Sequence, residues 1–254
     1  MHSEMSCQEG SGYYKEVSMD LKGKVALVTG AGSGISKAMA SALAKAGAAI
    51  VAVDILGEQA DETASELRAQ GNSVIAARAD VTLRADVKAA LARGLAEFGQ
   101  IDVLFNGAGI NRRRPILEIA EDEWDAVLRV NLKGTFLCCQ AVGRHMASRR
   151  RGRIINTAGH HTAGAPVPYA TSKGGIIAFT QSLAAELKPF GVTVNAISPG
   201  PTDTPLWREG RTLEEIDTLL RRGGISQPGD MGSVVVYLAS DASWPLTGQL
   251  IQRG

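Results

Sequence analysis

A tyrosine and a lysine four residues apart, Tyr169 and Lys173, are the side chains of this sequence best placed to move a proton. They stand in the stretch Pro168–Tyr169–Ala170–Thr171–Ser172–Lys173, which continues into an apolar run over residues 174–187. On a helix, residues i and i+4 share one face, so the phenol and the ammonium can lie side by side. A free phenol titrates near ~10 and is mostly a spectator at neutral pH. An ammonium held beside it favours the phenolate and pulls that pKa towards the range useful to a general acid or base. Taken alone, the same spacing also describes a surface pair with no chemistry.

A second cluster is the turn Thr29–Gly30–Ala31–Gly32–Ser33–Gly34–Ile35–Ser36, set between an apolar run and a helical one. Backbone N–H groups at a helix N-terminus attract negative charge, and glycines let a pyrophosphate approach. A tight turn without a ligand is the alternative. Asp54 ends the next apolar run, twenty residues after Gly34. A carboxylate there hydrogen-bonds a ribose 2′-hydroxyl and repels a 2′-phosphate, which favours NAD over NADP. As a helix cap it would have no such role, but capping leaves the spacing unexplained.

The segments that would position these groups alternate between strand and helix. Residues 24–29 suit a buried parallel strand, and residues 37–46 read as a helix ended by Gly47. Residues 49–54 form the second strand, residues 58–69 a helix stopped by Gly71, and residues 73–78 the third strand. A helix over 86–98 and a strand over 103–105 follow. A long amphipathic helix is predicted from about 121 to about 145, then a strand over 153–157 and the helix carrying Tyr169 and Lys173. A strand over 192–197 precedes a loop-and-helix excursion spanning 202–222. A helix around Val234, Tyr237 and Leu238 and a short strand over 249–251 come last. Such alternation predicts an α/β fold, a doubly wound parallel sheet with helices on both faces. No composition break or internal repeat divides it, so residues 19–254 read as a single domain. Residues 1–18, polar and without apolar period, read as a flexible arm.

With 254 residues, 44% hydrophobic, 21% charged and a formal net charge of +1, the chain has an ordinary globular composition. Near-neutral charge argues against a nucleic-acid or membrane role. No apolar run reaches membrane-spanning length, and the N-terminus lacks a signal-peptide core. The three cysteines, Cys7, Cys138 and Cys139, have no metal-ligand spacing. Adjacent cysteines pair poorly, which points to a reducing cytoplasmic setting with no metal.

With Thr29–Gly30, Asn106–Gly107–Ala108–Gly109, Tyr169–Lys173 and Pro199–Gly200 in register, the chain resembles the short-chain dehydrogenase/reductase family from Leu21 to about Ile251. The resemblance implies a Rossmann-type fold, nicotinamide chemistry and a small alcohol or ketone substrate. It implies that Gly30, Ser33, Gly34 and Ile35 line the pyrophosphate and Asp54 the adenosine ribose. Asp80 and Val81 match the adenine-contacting pair, and Asn106 the stretch that stabilises the sheet beside the cofactor. Pro199, Gly200, Thr202 and Thr204 match the loop on the nicotinamide side. Tyr169 matches the proton donor and acceptor. Lys173 matches the residue that depresses the tyrosine pKa and holds the nicotinamide ribose, and Asn131 the asparagine that holds a relay water near the lysine. Relatives assemble as dimers or homotetramers, pairing the helices expected over 121–145 and 169–187 across subunits.

Three departures from the pattern stand out. Gly159 occupies the position of the family's substrate-binding serine, and the gap from it to Tyr169 is short. Thr157, His160 and Thr162 are the candidate substitute donors, each also readable as a strand or loop residue without a catalytic role. Adjacent His160 and His161 lack the partners a metal site needs. Ser36 replaces the third glycine of the turn, which is expected to strain packing more than binding. The chain stops at Gly254, where the family carries a slightly longer tail, which is expected to weaken subunit contacts.

On the substrate side, Arg112, Arg113 and Arg114 follow the fourth strand and border the crevice at the strands' carboxyl ends. They either attract a carboxylate or phosphate or form a solvated basic loop. The segment resembles that of sugar-acid and polyol dehydrogenases, including the gluconate and deoxygluconate types, with 3-oxoacyl reductases as close relatives. Arg149, Arg150, Arg151 and Arg153 read as solvated surface. Leu206 and Trp207 are candidate lid contacts or core residues. Two functions follow: an NAD-dependent oxidoreductase, or a dinucleotide-binding relative that has lost turnover and acts as a sensor or scaffold.

Overall fold

In the computed structural model, residues 18–159 and 164–253 are described; the arm expected over 1–18 lies almost wholly outside them. The runs rich in valine, isoleucine and alanine become strands that are buried nearly throughout, because helices cover both faces of a parallel sheet. In chain order the elements are β1 (Val25–Thr29), α1 (Gly34–Lys45), β2 (Ala49–Asp54), α2 (Gly57–Ala69), β3 (Val74–Arg78) and α3 (Arg84–Phe98). Next come β4 (Val103–Asn106), α4 (Glu121–Leu128), a π-helical turn (Arg129–Gly134), α5 (Thr135–Ser148), β5 (Gly152–Thr157) and α6 (Val167–Leu187). The chain closes with β6 (Val192–Ser198), α7 (Pro205–Arg208), α8 (Leu213–Arg222), α9 (Gly232–Ala239) and β7 (Leu250–Gln252). Among the described residues the sheet has seven strands, all parallel, in the order β3-β2-β1-β4-β5-β6-β7.

Leu27 lies opposite Val51 on one side and Leu104 on the other. The strand order reverses between β1 and β4, and a crevice opens at their carboxyl ends. Period-two alternation sends Ala26 and Val28 into one core layer, with Met39, Leu43 and Leu238. It sends Val25 and Leu27 into the other, with Val142, Met146 and Ile154. The predicted Rossmann-type fold, doubly wound and of one domain, is the fold observed.

Two helices depart from expectation in ways that matter at the crevice. Helix α1 starts at Gly34, inside the glycine turn, so its N-terminus faces the crevice. The long helix expected from about 121 to about 145 is broken by the π turn. Inside that turn the Asn131 side chain binds the loop after β4, and Thr135 Oγ1 donates to the Asn131 carbonyl at 2.7 Å. A Cβ on Gly134 would fall 2.7 Å from Val81 Cγ2, so the helix and the loop after β3 touch there. One extra residue in a turn barely disturbs an amphipathic pattern, which is why the periodicity passes over it.

The second arginine cluster is not simply solvated. Arg153 is buried and, with Lys24 and Arg151, converges on Asp241, while its guanidinium lies 5.6 Å from the Trp244 ring centroid. Arg149 pairs with buried Asp102 at 3.1 Å. The pairs on Asp241 tie the amino ends of β1 and β5 to the segment after α9, and Arg149 ties the end of α5 to the start of β4. Cys138 and Cys139 are free thiols inside the core, and burial pushes Cys138 up to about 12. Among the described residues no helix is long and apolar enough to cross a membrane.

Candidate active site

The glycine turn is held by contacts that exclude side chains. Gly30 has φ +71°, and a Cβ there would fall 2.9 Å from the Ala108 backbone, so the turn and the loop after β4 lie against each other. Thr29 Oγ1 joins them by accepting from the N–H groups of Gly107 (3.2 Å) and Ala108 (3.4 Å). Ser36, expected to strain the packing, is buried in the space that Gly107 leaves open. A Cβ on Gly107 would overlap the Ser36 hydroxyl and come 2.8 Å from the Phe105 ring. Gly107→Ala is therefore expected to destabilise the fold by about 2 kcal/mol. Ser36→Gly in the same chain should recover part of that loss in a urea-melt double-mutant cycle; additivity would show that the two sites do not compete for one space.

Asp54 serves the turn as well as facing the crevice. Its Oδ2 accepts from Gly32 N–H (2.9 Å) and its Oδ1 from Leu56 N–H (3.0 Å), just ahead of α2. Each carboxylate oxygen retains a lone pair for a further donor. Asp80 turns its own loop by accepting from Thr82 N–H at 2.8 Å. Gly30, Ser33, Gly34, Ile35, Asp54, Asp80 and Val81 all line one cleft, which extends without interruption to Tyr169, Lys173 and Thr204.

Pro168 sits in the first turn of α6, where its missing N–H costs nothing. Tyr169 and Lys173 do lie side by side, with the ammonium 5.6 Å from the ring centroid. Their electrostatics differ from expectation. Burial raises the Tyr169 phenol above its ordinary value, and Arg113 is the cation that pulls it down. Lys173 is itself lowered to about 8 by burial, and its Nζ donates to the Thr157 carbonyl at 2.7 Å. An ammonium aimed at a carbonyl and stripped of water gives the phenol little support.

Asn131 is fully buried and lines no part of the cleft. Its Oδ1 accepts from Ile110 N–H (2.8 Å), and its Nδ2 donates to the Ile110 carbonyl (3.1 Å) and to Ser172 Oγ (3.0 Å). Ser172 Oγ in turn donates to the Tyr169 carbonyl at 2.7 Å. The side chain thus clamps the loop after β4 to the turn of α6 that holds Tyr169 and Lys173. Asn106 also lies beneath the cleft, donating to Asn156 Oδ1 at 2.9 Å, while Asn156 donates to Thr180 Oγ1 at 2.9 Å.

A second cavity adjoins the first and shares Ile35, Thr157, Tyr169, Thr204 and Leu206 with it. Pro199, Gly200 and Thr202 line it, and so do Leu206 and Trp207, which settles those two on the cavity rather than in the core. Gly159 forms part of its wall and presents no side chain. Of the candidate substitute donors, His160 and Thr162 lie outside the described residues, as does His161. Thr157 Oγ1 is buried, with no hydrogen-bond partner among the described residues. The basic triplet splits three ways. Arg112 folds back on the Asn111 carbonyl (2.8 Å), Arg114 pairs with Glu123 (3.1 Å), and Arg113 alone reaches the cavity. Sequence reasoning missed Arg211, which lines the cavity from the segment between α7 and α8 and carries no local signal. It also passed over Ser172, whose place three residues after Tyr169 puts it on the same helical face.

A strand-order reversal crowned by a glycine turn, with a Tyr–Lys pair at the far end of one cleft, defines a dinucleotide-type α/β oxidoreductase site. Residues 24–215 match the family model of short chain dehydrogenases. The chain is 41% identical over 245 residues to D-threitol dehydrogenase of Mycolicibacterium smegmatis, covering 92% of this chain and 94% of that one. It is 38% identical over 239 residues to a 3-oxoacyl-[acyl-carrier-protein] reductase of Thermotoga maritima, covering 92% and 97%. Among solved structures, a short-chain type dehydrogenase/reductase from Mycobacterium marinum superposes with a TM-score of 0.86 at 32% identity, covering 92% and 95%. The chain belongs to the short-chain dehydrogenase/reductase family. A nicotinamide dinucleotide fits the residues present: Gly30 and Gly34 keep side chains out of the turn, and the helix N-terminus and the Asp54 carboxylate face one cleft.

Proposed function

We propose that the protein is an NAD(H)-dependent oxidoreductase that interconverts a secondary alcohol and a ketone, on a polyol, sugar acid or 3-oxoacyl substrate. The observation that carries this reading is the unbroken cleft from Asp54 and the glycine turn to Tyr169 and Lys173. The dinucleotide, when bound, supplies the hydride acceptor or donor. Gly30, Ser33, Gly34 and Ile35 hold its phosphates, Asp54 its adenosine ribose, and Asp80 and Val81 its base. Pro199, Gly200, Thr202 and Thr204 border its nicotinamide end. Tyr169 exchanges a proton with the substrate oxygen, and Lys173, beside its ring, binds the second ribose. Asn131, whose Nδ2 donors are both taken by Ile110 and Ser172, acts as a positioning residue for that turn of α6, and Asn106 supports the sheet below. The similarity to a D-threitol dehydrogenase, a 2-dehydro-3-deoxy-D-gluconate 5-dehydrogenase and a 3-oxoacyl-[acyl-carrier-protein] reductase supports the substrate range. Turnover of such a panel with NAD(H) is the direct test, and inactivity on all three classes counts against the reading.

Asp54→Ala is expected to narrow the preference for NAD over NADP by about 10-fold or more, as a charge-assisted hydrogen bond and a repulsion disappear together. The measurement is the ratio of kcat/KM for the two cofactors; an unchanged ratio removes Asp54 from the ribose.

A second reading, a binding protein without turnover, draws on Gly159. Removing one donor to a reacting oxygen costs roughly 100-fold or more. Gly159→Ser is accordingly expected to raise kcat by about 100-fold on a carbonyl substrate. No gain in the variant would mean that another group already holds that oxygen. Subunit pairing is proposed on the faces of α5 and α6, where Phe136 and Val167 are exposed, and gel filtration reads it directly.

A further inference from the structure

Two arginines meet at the wall of the cavity that Tyr169 lines, while Glu214 and Glu215 flank them on the outer side. Arg113 comes from the loop after β4. Its Nε donates to the Glu209 carbonyl (2.8 Å) and its Nη2 to the Trp207 carbonyl (3.2 Å). Arg211 comes from the lid segment between α7 and α8; its Nη1 donates to the same Trp207 carbonyl, and its guanidinium lies 4.6 Å from the Trp207 ring centroid. Two cations therefore converge on one carbonyl oxygen at the wall of the cavity that Tyr169 also lines. Gly210, at φ +71°, makes room for this: a Cβ there would fall 3.3 Å from Arg113 Cδ.

Three arginines near them in the sequence find carboxylates. Arg114 pairs with Glu123, Arg208 with Asp203 and Arg221 with Asp217. Among the described residues, no carboxylate lies within 4.0 Å of Arg113 or Arg211. Glu215 is the acid whose field reaches Arg211, yet its Oε2 accepts from Thr212 N–H (2.7 Å) in the cap of α8. Like charges held together are unfavourable unless an anion joins them. A guanidinium carries five N–H donors in a rigid fork. The carbonyl contacts use two on Arg113 and one on Arg211, which orients both forks and leaves donors for a ligand.

We infer that Arg113 and Arg211 form a carboxylate-binding subsite, which makes the substrate an anionic hydroxy or oxo acid. The inference rests on the oxidoreductase reading and narrows its substrate class. Because one arginine belongs to the loop after β4 and the other to the lid, a carboxylate between them also fastens the lid over Tyr169.

The test uses the full chain saturated with NADH and isothermal calorimetry. It is titrated with three carboxylates, each against a neutral counterpart: D-gluconate against D-glucitol, tartrate against threitol, and 3-hydroxybutyrate against butane-1,3-diol. At least one carboxylate should bind about 10-fold or more tightly than its counterpart, a preference that weakens with added salt. Arg113→Gln and Arg211→Gln should each remove most of that preference while changing affinity for NADH and for the neutral compound by less than about twofold. Arg113→Lys and Arg211→Lys, which keep the charge but lose the fork, should restore it in part and guard against a folding defect. Equal binding within all three pairs, or a preference that survives in both Gln variants, overturns the subsite while NADH binding stands. Failure of the wild-type protein to bind NADH overturns the reading beneath it.

Discussion

Tyr169→Phe is expected to lower kcat by about 10²–10⁴-fold, the usual contribution of a positioned proton donor. The substitution removes one oxygen from a ring that lines both cavities and stands 5.6 Å from the Lys173 ammonium. No hydrogen bond of the phenol among the described residues holds the fold together, so stability and NADH affinity should change little. A fluorescence titration with NADH alongside steady-state rates separates these effects. The pH profile adds a second readout. Burial raises the phenol, and in the absence of substrate Arg113 is the cation that opposes it. In the alcohol-oxidising direction the rate should therefore climb on the alkaline side as the phenolate becomes accessible, and that limb should vanish in the Phe variant. A variant as fast as wild type would sink the assignment of Tyr169 as the acid–base group.

Lys173→Met is expected to do two opposite things: lower kcat by about 100-fold or more and raise stability near pH 7. The ammonium is buried, and its pKa falls from 10.5 to about 8 in the folded protein. A base whose folded pKa is depressed takes up a proton on unfolding between those two values. Stability from this source is therefore complete above about 10.5, declines as pH falls, and is lost once pH is below about 8. A depression of that size corresponds to about 3 kcal/mol carried by the folded state at pH 7. Methionine has similar length and no charge, and it gives up the charge-assisted Nζ to Thr157 hydrogen bond, worth about 2 kcal/mol. The net gain is about 1 kcal/mol, or a Tm higher by roughly 3 °C. Thermal melts at pH 7 and pH 10.5 provide the check, since the advantage should shrink or reverse at the higher pH. A Tm unchanged at pH 7 would mean that the ammonium is better solvated than its burial indicates. Such a site is less stable than it could be for the sake of the cation it keeps.

Most of the scaffold was legible because its signals are local. Strand positions follow from short buried runs, and the glycine turn with Asp54 follows from spacing alone. Helix ends shifted by a few residues, because α1 and α2 start at Gly34 and Gly57 with no side-chain cap to mark the boundary. The π turn escaped notice since its cause is the Asn131 amide binding Ile110 and Ser172, 21 and 41 residues away. Ser36 looked like a flaw until folding set it against Gly107, where two unusual choices fit one space.

By itself, then, the sequence determined the alternating parallel sheet, the glycine turn between the first strand and the first helix, and the pairing of Tyr169 with Lys173 on one helical face. Each depends on periodicity or on neighbours within a turn. Only the tertiary structure decided the electrostatics around that pair. Burial of Lys173, its contact with Thr157, and the arrival of Arg113 and Arg211 from separate loops are through-space facts, governed by desolvation and distance. The tyrosine has its lysine beside it, as the spacing implied. The cation that acts on its phenol most directly comes from another part of the chain.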